Sequence, residues 1–467
     1  MYVKVYDVII IGSGPAGIFA GLELAEKGLD VVILDKGRDI TARNCPKDKL
    51  NKPCIHCNPC DVVCGWGGAG AFSDGKVTLT TEFGGVLDEY MDKSKLANLI
   101  KYVDDLYLKF GAGDRKVYGD DHHDEIRRLQ RVAASADLSL VPARIRHLGT
   151  DRNLEILTEM RRFLHDKCEV RMNTAVEEIL VDDGVYKGVR LVNGEILQSK
   201  YLVAAPGREG SEWFVAQASR LGLSMATNPV DIGVRVELPA AVMEEITDII
   251  YESKLIYYTK SFDDRVRTFC MNPYGEVVTE NNSGLVTVNG HSYAGKKTQN
   301  TNFALLVSKS FTEPFKEPIA YGKAIASLAN MLGGGVIVQR LGDLLDGRRS
   351  TPERIARGLV TPTLKDATPG DLSLVLPYRH LTAITEMLQA LDKVAPGVNS
   401  RHTLLYGVEV KFYSSRLKLS EVLESQIPNF FAAGDGAGVT RGLAQAGAAG
   451  VVVAREILAR EAAKASS

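Results

Sequence analysis

The first apolar block of the chain, Tyr6 to Ile11, is continuous and rich in β-branched residues, the pattern of a strand buried on both faces. It stops at Gly12-Ser13-Gly14-Pro15-Ala16-Gly17, after which a helix is predicted from Pro15 to Lys27, ended by Gly28. A second apolar strand, Asp30 to Leu34, delivers Asp35. Strand, glycine turn, helix, strand and acid therefore follow one another inside one βαβ unit. Helical spacing returns over 96–110 and 124–134, which predicts an α-helical insertion over about 86–145, and again over 150–165. Short strands come next, over 170–173, 175–181, 188–192 and 201–205, with Asp182-Asp183-Gly184 and Asn193-Gly194 as turns, the order of a β-meander.

From about residue 226 to 400 the pattern changes to separate strands, such as 233–237 and 284–288, followed by helices near 321–332 and 381–391. Strand, Gly-Asp loop and helix then resume near Asn429. The predicted organisation is α/β and discontinuous: a dinucleotide-binding domain over 1–225 with a cysteine-rich loop at 45–64 and the helical insertion, a second α+β, substrate-facing domain over 226–400, and a return to the first domain over 401–467. No internal repeat interrupts this order.

Composition narrows the function classes. The 467 residues are 45% apolar and 24% charged, which is ordinary for a globular chain and excludes disorder over most of its length. A net charge of -2 gives no field that would gather nucleic acid or an anionic membrane, so an RNA-modifying enzyme is the least favoured class. No apolar run approaches the roughly 18 residues needed to span a bilayer, and the N-terminus lacks a basic region and cleavage site, so a cytoplasmic location is expected.

The glycine turn carries the clearest chemistry. Gly12 permits the tight turn, Gly14 lets backbone reach a pyrophosphate, and Gly17 lets the helix pack on the strand. Pro15 and Ala16 open that helix, whose N-terminus would face the phosphates. Asp35 stands where an acid accepts hydrogen bonds from ribose hydroxyls, with Lys36 beside it. FAD and NAD are not distinguished by this unit alone.

Further along, Asn429 to Gly436 resembles the Gly-Asp motif of glutathione-reductase-type flavoproteins, a likeness that implies Gly434 and Asp435 at the ribityl chain of FAD. Arg441, Gly442, Gln445 and Gly447 resemble the start of the helix that faces the flavin pyrimidine edge there, and Ala205, Gly207 and Arg208 resemble that superfamily's Ala-Thr-Gly strand end. Val176, in the meander, is counted with the same cofactor site. Cys45-Pro46, the Cys54 to Cys64 run, Gly65 to Lys76, Arg146 to Asp151, Thr268 to Gly275 and the Gly434 segment together resemble uncharacterised FAD-dependent dehydrogenases, with a more distant similarity to geranylgeranyl-reductase-like flavin enzymes. The resemblance implies FAD and oxidoreductase activity but names no substrate. It also implies that the loop containing Gly67, Gly68 and Ser73 passes along the pyrophosphate, with Lys76 beside the flavin.

Five of the seven cysteines fall close together: Cys45, Cys54, Cys57, Cys60 and Cys64. The Cys54-x2-Cys57-x2-Cys60-x3-Cys64 spacing is that of a bacterial ferredoxin run, which points to a [4Fe-4S] cluster, with Cys45 as an alternative fourth ligand. Structural zinc and thiols without metal remain open beside it. Lys76, Cys270 and Arg441 are the candidate catalytic residues: the cations to stabilise negative charge, the thiol in a strand before Asn272-Pro273-Tyr274-Gly275. Because no second Gly-x-Gly-x-x-Gly lies between a strand and a helix, NAD(P)H would dock at the flavin, or a ferredoxin-like carrier would bring the electrons. The leading expectation is an FAD-dependent oxidoreductase acting on a small organic substrate, for instance at a C=C or C-N bond. The alternative is an electron-transfer or sensor flavoprotein serving a protein partner.

Overall fold

The structure is a computed structural model and describes residues 4–45, 57–73, 75–113, 115–226, 228–282, 284–292, 297–312, 314–315, 317–411 and 415–466. It divides into two compact units, 1–116 with 146–226 and 414–467, and 117–145 with 227–413.

The first unit is built on a mixed sheet. Strands Glu169–Arg171, Val31–Leu34, Val5–Ile11 and Ile196–Ala204 run parallel in that order. The end of Ile196–Ala204 also pairs in parallel with Phe430–Ala432, which is how the last part of the chain completes the first sheet. Its beginning pairs antiparallel with Val185–Leu191 and through it with Val176–Asp182, the meander read from the turns. Every residue of Val31–Leu34 is buried, as its unbroken apolar run requires. Helices Pro15–Glu26 and Leu443–Ser466 pack so closely that a Cβ on Gly450 would stand 2.1 Å from the Ala16 carbonyl oxygen. Glycine at 450 is therefore a packing requirement.

In the second unit eight strands follow the order Thr368–Pro369, Ile337–Arg340, Leu404–Lys411, Val230–Pro239, Asn300–Lys309, Arg265–Asn272, Lys254–Tyr258 and Leu138–Val141. All but the first pair are antiparallel. Val230, Ile232, Val234, Val236 and Leu238 share one core with the apolar sides of helices Pro318–Gly333 and Tyr378–Asp392. The alternate positions Asp231, Arg235 and Glu237 point to the other face and are buried as well.

One expectation is corrected here. The segment 86–145 is not a single helical insertion into the first domain: helix Lys93–Tyr107 stays with the first unit, whereas helix His123–Ser135 and strand Leu138–Val141 belong to the second. The reason is burial, since Ile126, Leu129 and Ala133 join the core of the second sheet. That sheet also keeps Leu404–Lys411, so the second unit extends past residue 400. Among the described residues, no helix is long and apolar enough to cross a membrane.

Candidate functional site

In the first unit the glycine turn is fixed by contacts that only glycine allows. Gly12 has φ +97, and a Cβ there would lie 2.1 Å from the Ala205 carbonyl oxygen. One on Gly17 would lie 1.9 Å from the Gly12 carbonyl oxygen. Gly14 differs: its backbone is extended, and a Cβ would meet nothing nearer than the Gly68 Cα at 3.9 Å. Helix Pro15–Glu26 starts behind it with no side-chain cap and no acidic residue in its first turn, so its free N–H groups and positive dipole end are left for an anion.

Across this turn lies the glycine-rich loop. Gly67 donates its N–H to the Ser13 carbonyl (2.8 Å), and a Cβ on Gly68 would sit 3.1 Å from the Gly14 Cα. A Cβ on Gly70 would touch Leu443, at the start of helix Leu443–Ser466, and Pro15, at the start of the first helix. The loop thus runs between two helix N-termini. Asn153 holds it through the Gly70 carbonyl (2.8 Å), and the Trp66 indole donates to the Leu157 carbonyl (2.8 Å). Ser73 donates to the Gly70 carbonyl (2.7 Å), and Lys76 opens the strand Lys76–Thr78 beyond it. Asp74 lies outside the described residues.

The C-terminal part supplies the third wall. Gly434 has φ +81 beside Ala16, and Asp435 accepts from the Thr440 hydroxyl (2.8 Å) with Arg208 3.7 Å away. Burial raises the Asp435 carboxyl above its ordinary value, and Arg208 offsets part of that shift. The Arg441 N–H donates to the Gly84 carbonyl (2.8 Å), and Gly442 leaves room for Gly84. Gln445 donates to the Phe83 carbonyl, but its Oε1 is buried with no partner. A buried acceptor left open, an uncapped helix N-terminus and the space over Gly14 together fit a dinucleotide that brings phosphate oxygens and a ring N–H.

Asp35 departs from its expected role. Its Oδ2 accepts from the Ser13 N–H (2.8 Å) and Ser13 hydroxyl (2.7 Å), and its Oδ1 from the Gly37 N–H (2.8 Å) and Gly65 N–H (3.1 Å). The carboxylate therefore ties the glycine turn to the loop. Lys36 pairs with Glu209, which follows Gly207 and Arg208 at the neighbouring strand end. Val176 begins the meander, close in sequence to Thr174, whose N–H reaches the Asp35 carbonyl (2.7 Å).

The metal expectation does not hold among the described residues, where no group of three or more His, Cys, Asp or Glu could hold an ion. Cys54 lies outside them; Cys45, Cys57, Cys60 and Cys64 are free thiols. Burial, with Glu209 adding to it, pushes the Cys64 thiol up to about 12. Arg43 explains how this loop is held without an ion. Its guanidinium donates to the carbonyls of Asp61 (2.8 Å), Val62 (2.9 Å), Trp66 (2.5 Å) and Gly68 (2.9 Å). The described residues do not fit an iron-sulfur cluster.

Of the three candidate catalytic residues, Lys76 and Arg441 belong to the first unit and Cys270 to the second. Cys270 sits at a bulge of strand Arg265–Asn272 with φ +45, a conformation that costs a non-glycine residue energy. Its carbonyl accepts from Arg235 (3.1 Å) and from Asn272 (2.9 Å). Arg235 is fully buried, pairs with both oxygens of Glu409 (2.7 and 2.9 Å) and donates to Asn302 (2.9 Å). Gly290 makes the cluster possible, because a Cβ there would come within 2.2 Å of the Arg235 guanidinium. The sequence reading missed Arg43, Asn153, Glu209, Arg235 and Glu409. For Arg235 and Glu237 the available signal was a charged residue at every second position of an apolar strand.

Comparison with known proteins agrees with this cradle. A family model described as "FAD binding domain" matches residues 7–42, and one described as "FAD-dependent protein, C-terminal domain-like" matches residues 229–412. An uncharacterized protein of Clostridium beijerinckii is 28% identical over 96% of this chain and 80% of its own. A digeranylgeranylglycerophospholipid reductase of Methanosarcina mazei is 44% identical over 50 residues, 11% of this chain and 12% of its own. Among solved structures, glycine oxidase from Geobacillus kaustophilus is similar over 98% of this chain and 95% of its own, at 13% identity and a TM-score of 0.41. The resemblance to FAD-dependent dehydrogenases, with its distant likeness to geranylgeranyl-type reductases, is borne out.

Proposed function

We propose, from the premise that the chain is an FAD-dependent oxidoreductase, that it is a flavoenzyme of the glutathione-reductase type moving two electrons between FAD and a small organic substrate. The observation that carries the reading is the glycine-lined cradle of the first unit, with its uncapped helix N-terminus and the open acceptor of Gln445. FAD, when bound, supplies the hydride chemistry. Gly14, Ala16 and Gly17 present backbone N–H groups and a positive helix end to the phosphates, Pro15 opens the helix without an N–H of its own, and Gly12, whose N–H is donated to the Leu34 carbonyl (2.7 Å), makes the turn. Gly67, Gly68 and Ser73 let the crossing loop close over them, while Gly434 and Asp435 hold the ribityl chain. The start of helix Leu443–Ser466, with Gly442 and Gln445, faces the pyrimidine edge, where its dipole favours negative charge.

In the first unit Lys76 and Arg441 are assigned to charge stabilisation; Cys270, in the second unit, is the candidate catalytic thiol. That unit has its own large core, and a pure carrier has little use for one. Electrons arrive from NAD(P)H docking at the flavin or from a ferredoxin-like partner. The test is anaerobic photoreduction of the FAD-loaded protein, then stopped-flow mixing with enoates, imines and quinones. Saturable reoxidation by one organic class supports the reading; reoxidation by redox proteins alone would replace it with a carrier.

A further inference from the structure

Asp35 ends the second strand of the βαβ unit, the position from which an acid ordinarily takes the adenosine ribose, yet its acceptor capacity is spent. A carboxylate offers about four lone-pair positions, and Ser13 fills two while the Gly37 and Gly65 N–H groups fill the others. An incoming hydroxyl would have to break one of these buried bonds. A second carboxylate stands beside it. Glu209 is ion-paired to Lys36, the residue next to Asp35, and its charge acts on the thiol of Cys64, the residue next to Gly65. Its side chain is 35% exposed, so it is open to a ligand, and its partners leave acceptor positions free.

We infer that Glu209, aligned by Lys36, accepts the adenosine ribose hydroxyls of the dinucleotide, and that Asp35 is a positioning residue for the turn and the loop. The inference rests on the FAD reading above and names the residue that recognises one part of that cofactor. It replaces the expectation that the acid at the end of the second strand makes the contact.

The test titrates apoprotein with FAD and with its 2′-deoxyadenosine and 3′-deoxyadenosine analogues, following flavin fluorescence. Wild type should bind FAD roughly 10- to 150-fold more tightly than at least one analogue, the range for a hydrogen bond to a charged group. Glu209→Gln should shrink that ratio to within about threefold, with analogue binding little changed. Asp35→Asn should lower the melting temperature of the apoprotein and keep the ratio. The inference is overturned if Glu209→Gln keeps full discrimination, or if wild type discriminates against neither analogue. It is also overturned if Asp35→Asn abolishes discrimination without loss of apoprotein stability. Should Asp35→Asn fail to fold, Glu209→Gln decides alone. Absence of any FAD binding by wild type would instead remove the function reading itself.

Discussion

Replacing Gly14 by Ala separates the cofactor from the fold. The residue has φ -75 and ψ -177, ordinary for any amino acid, and its added Cβ would meet no protein atom nearer than 3.9 Å. Such a Gly→Ala change gains about 0.4–1 kcal/mol through the unfolded chain. At about 2–4 °C per kcal/mol for a unit of this size, the apoprotein should melt at the wild-type temperature or about 1–4 °C above it. The methyl group would, however, fill the space in front of the helix N-terminus. Loss of one charge-assisted hydrogen bond costs about 1.5–3 kcal/mol, so FAD affinity should fall roughly 10- to 150-fold. Gly17→Ala is the contrast, because its Cβ would stand 1.9 Å from the Gly12 carbonyl oxygen and the apoprotein itself should be destabilised. Calorimetric melts of flavin-free protein and fluorescence titration with FAD give both quantities. A Gly14→Ala protein that binds FAD as wild type does, or whose apoprotein is destabilised by more than about 1 kcal/mol, would refute the assignment.

Three other outcomes follow from buried charges. Glu409→Gln leaves the Arg235 guanidinium without its partner at full burial and should cost about 3–5 kcal/mol in urea unfolding, while Arg235→Met with Glu409→Leu should recover much of it. Arg43→Lys keeps the charge but cannot span four carbonyls, so the 57–68 loop should become protease-sensitive and stability should drop by about 2–4 kcal/mol in a thermal melt. His380 is buried with neither ring nitrogen hydrogen-bonded, and burial, helped by Lys309, lowers it to about 4. Because the unfolded chain takes up that proton first, stability should fall as pH drops from about 6.5 to about 4, by roughly 3 kcal/mol, and His380→Phe should remove most of that acid sensitivity.

The parts legible in the sequence are those whose requirement is local. Gly12 and Gly17 are dictated by backbone within one turn, and the all-apolar strand Val31–Leu34 can only be a buried one. The role of Asp35 was not legible, because the donors that fill it come from residues 13, 37 and 65, brought together only by the loop crossing the turn. The cysteine run gave a ferredoxin spacing, yet spacing does not report that Arg43 ties the loop through four carbonyls. Strand Val230–Pro239 alternates apolar residues with Asp231, Arg235 and Glu237. Its charged positions are covered by Glu409, Arg267, Thr363 and Tyr406, each contributed by a distant segment. Helix His123–Ser135 was correctly a helix, but which core takes Ile126 and Leu129 depends on a strand pairing more than a hundred residues away.

The central claim is that the first unit holds one FAD through both of its halves. Its most direct test is equilibrium titration of flavin-stripped protein with FAD and with FMN, reading bound flavin per chain. The account predicts saturation at about one FAD per chain with FMN bound at least about 100-fold more weakly, since the glycine turn and helix N-terminus act on the part FMN lacks. Equal retention of FMN, or no stoichiometric binding of FAD, would contradict it.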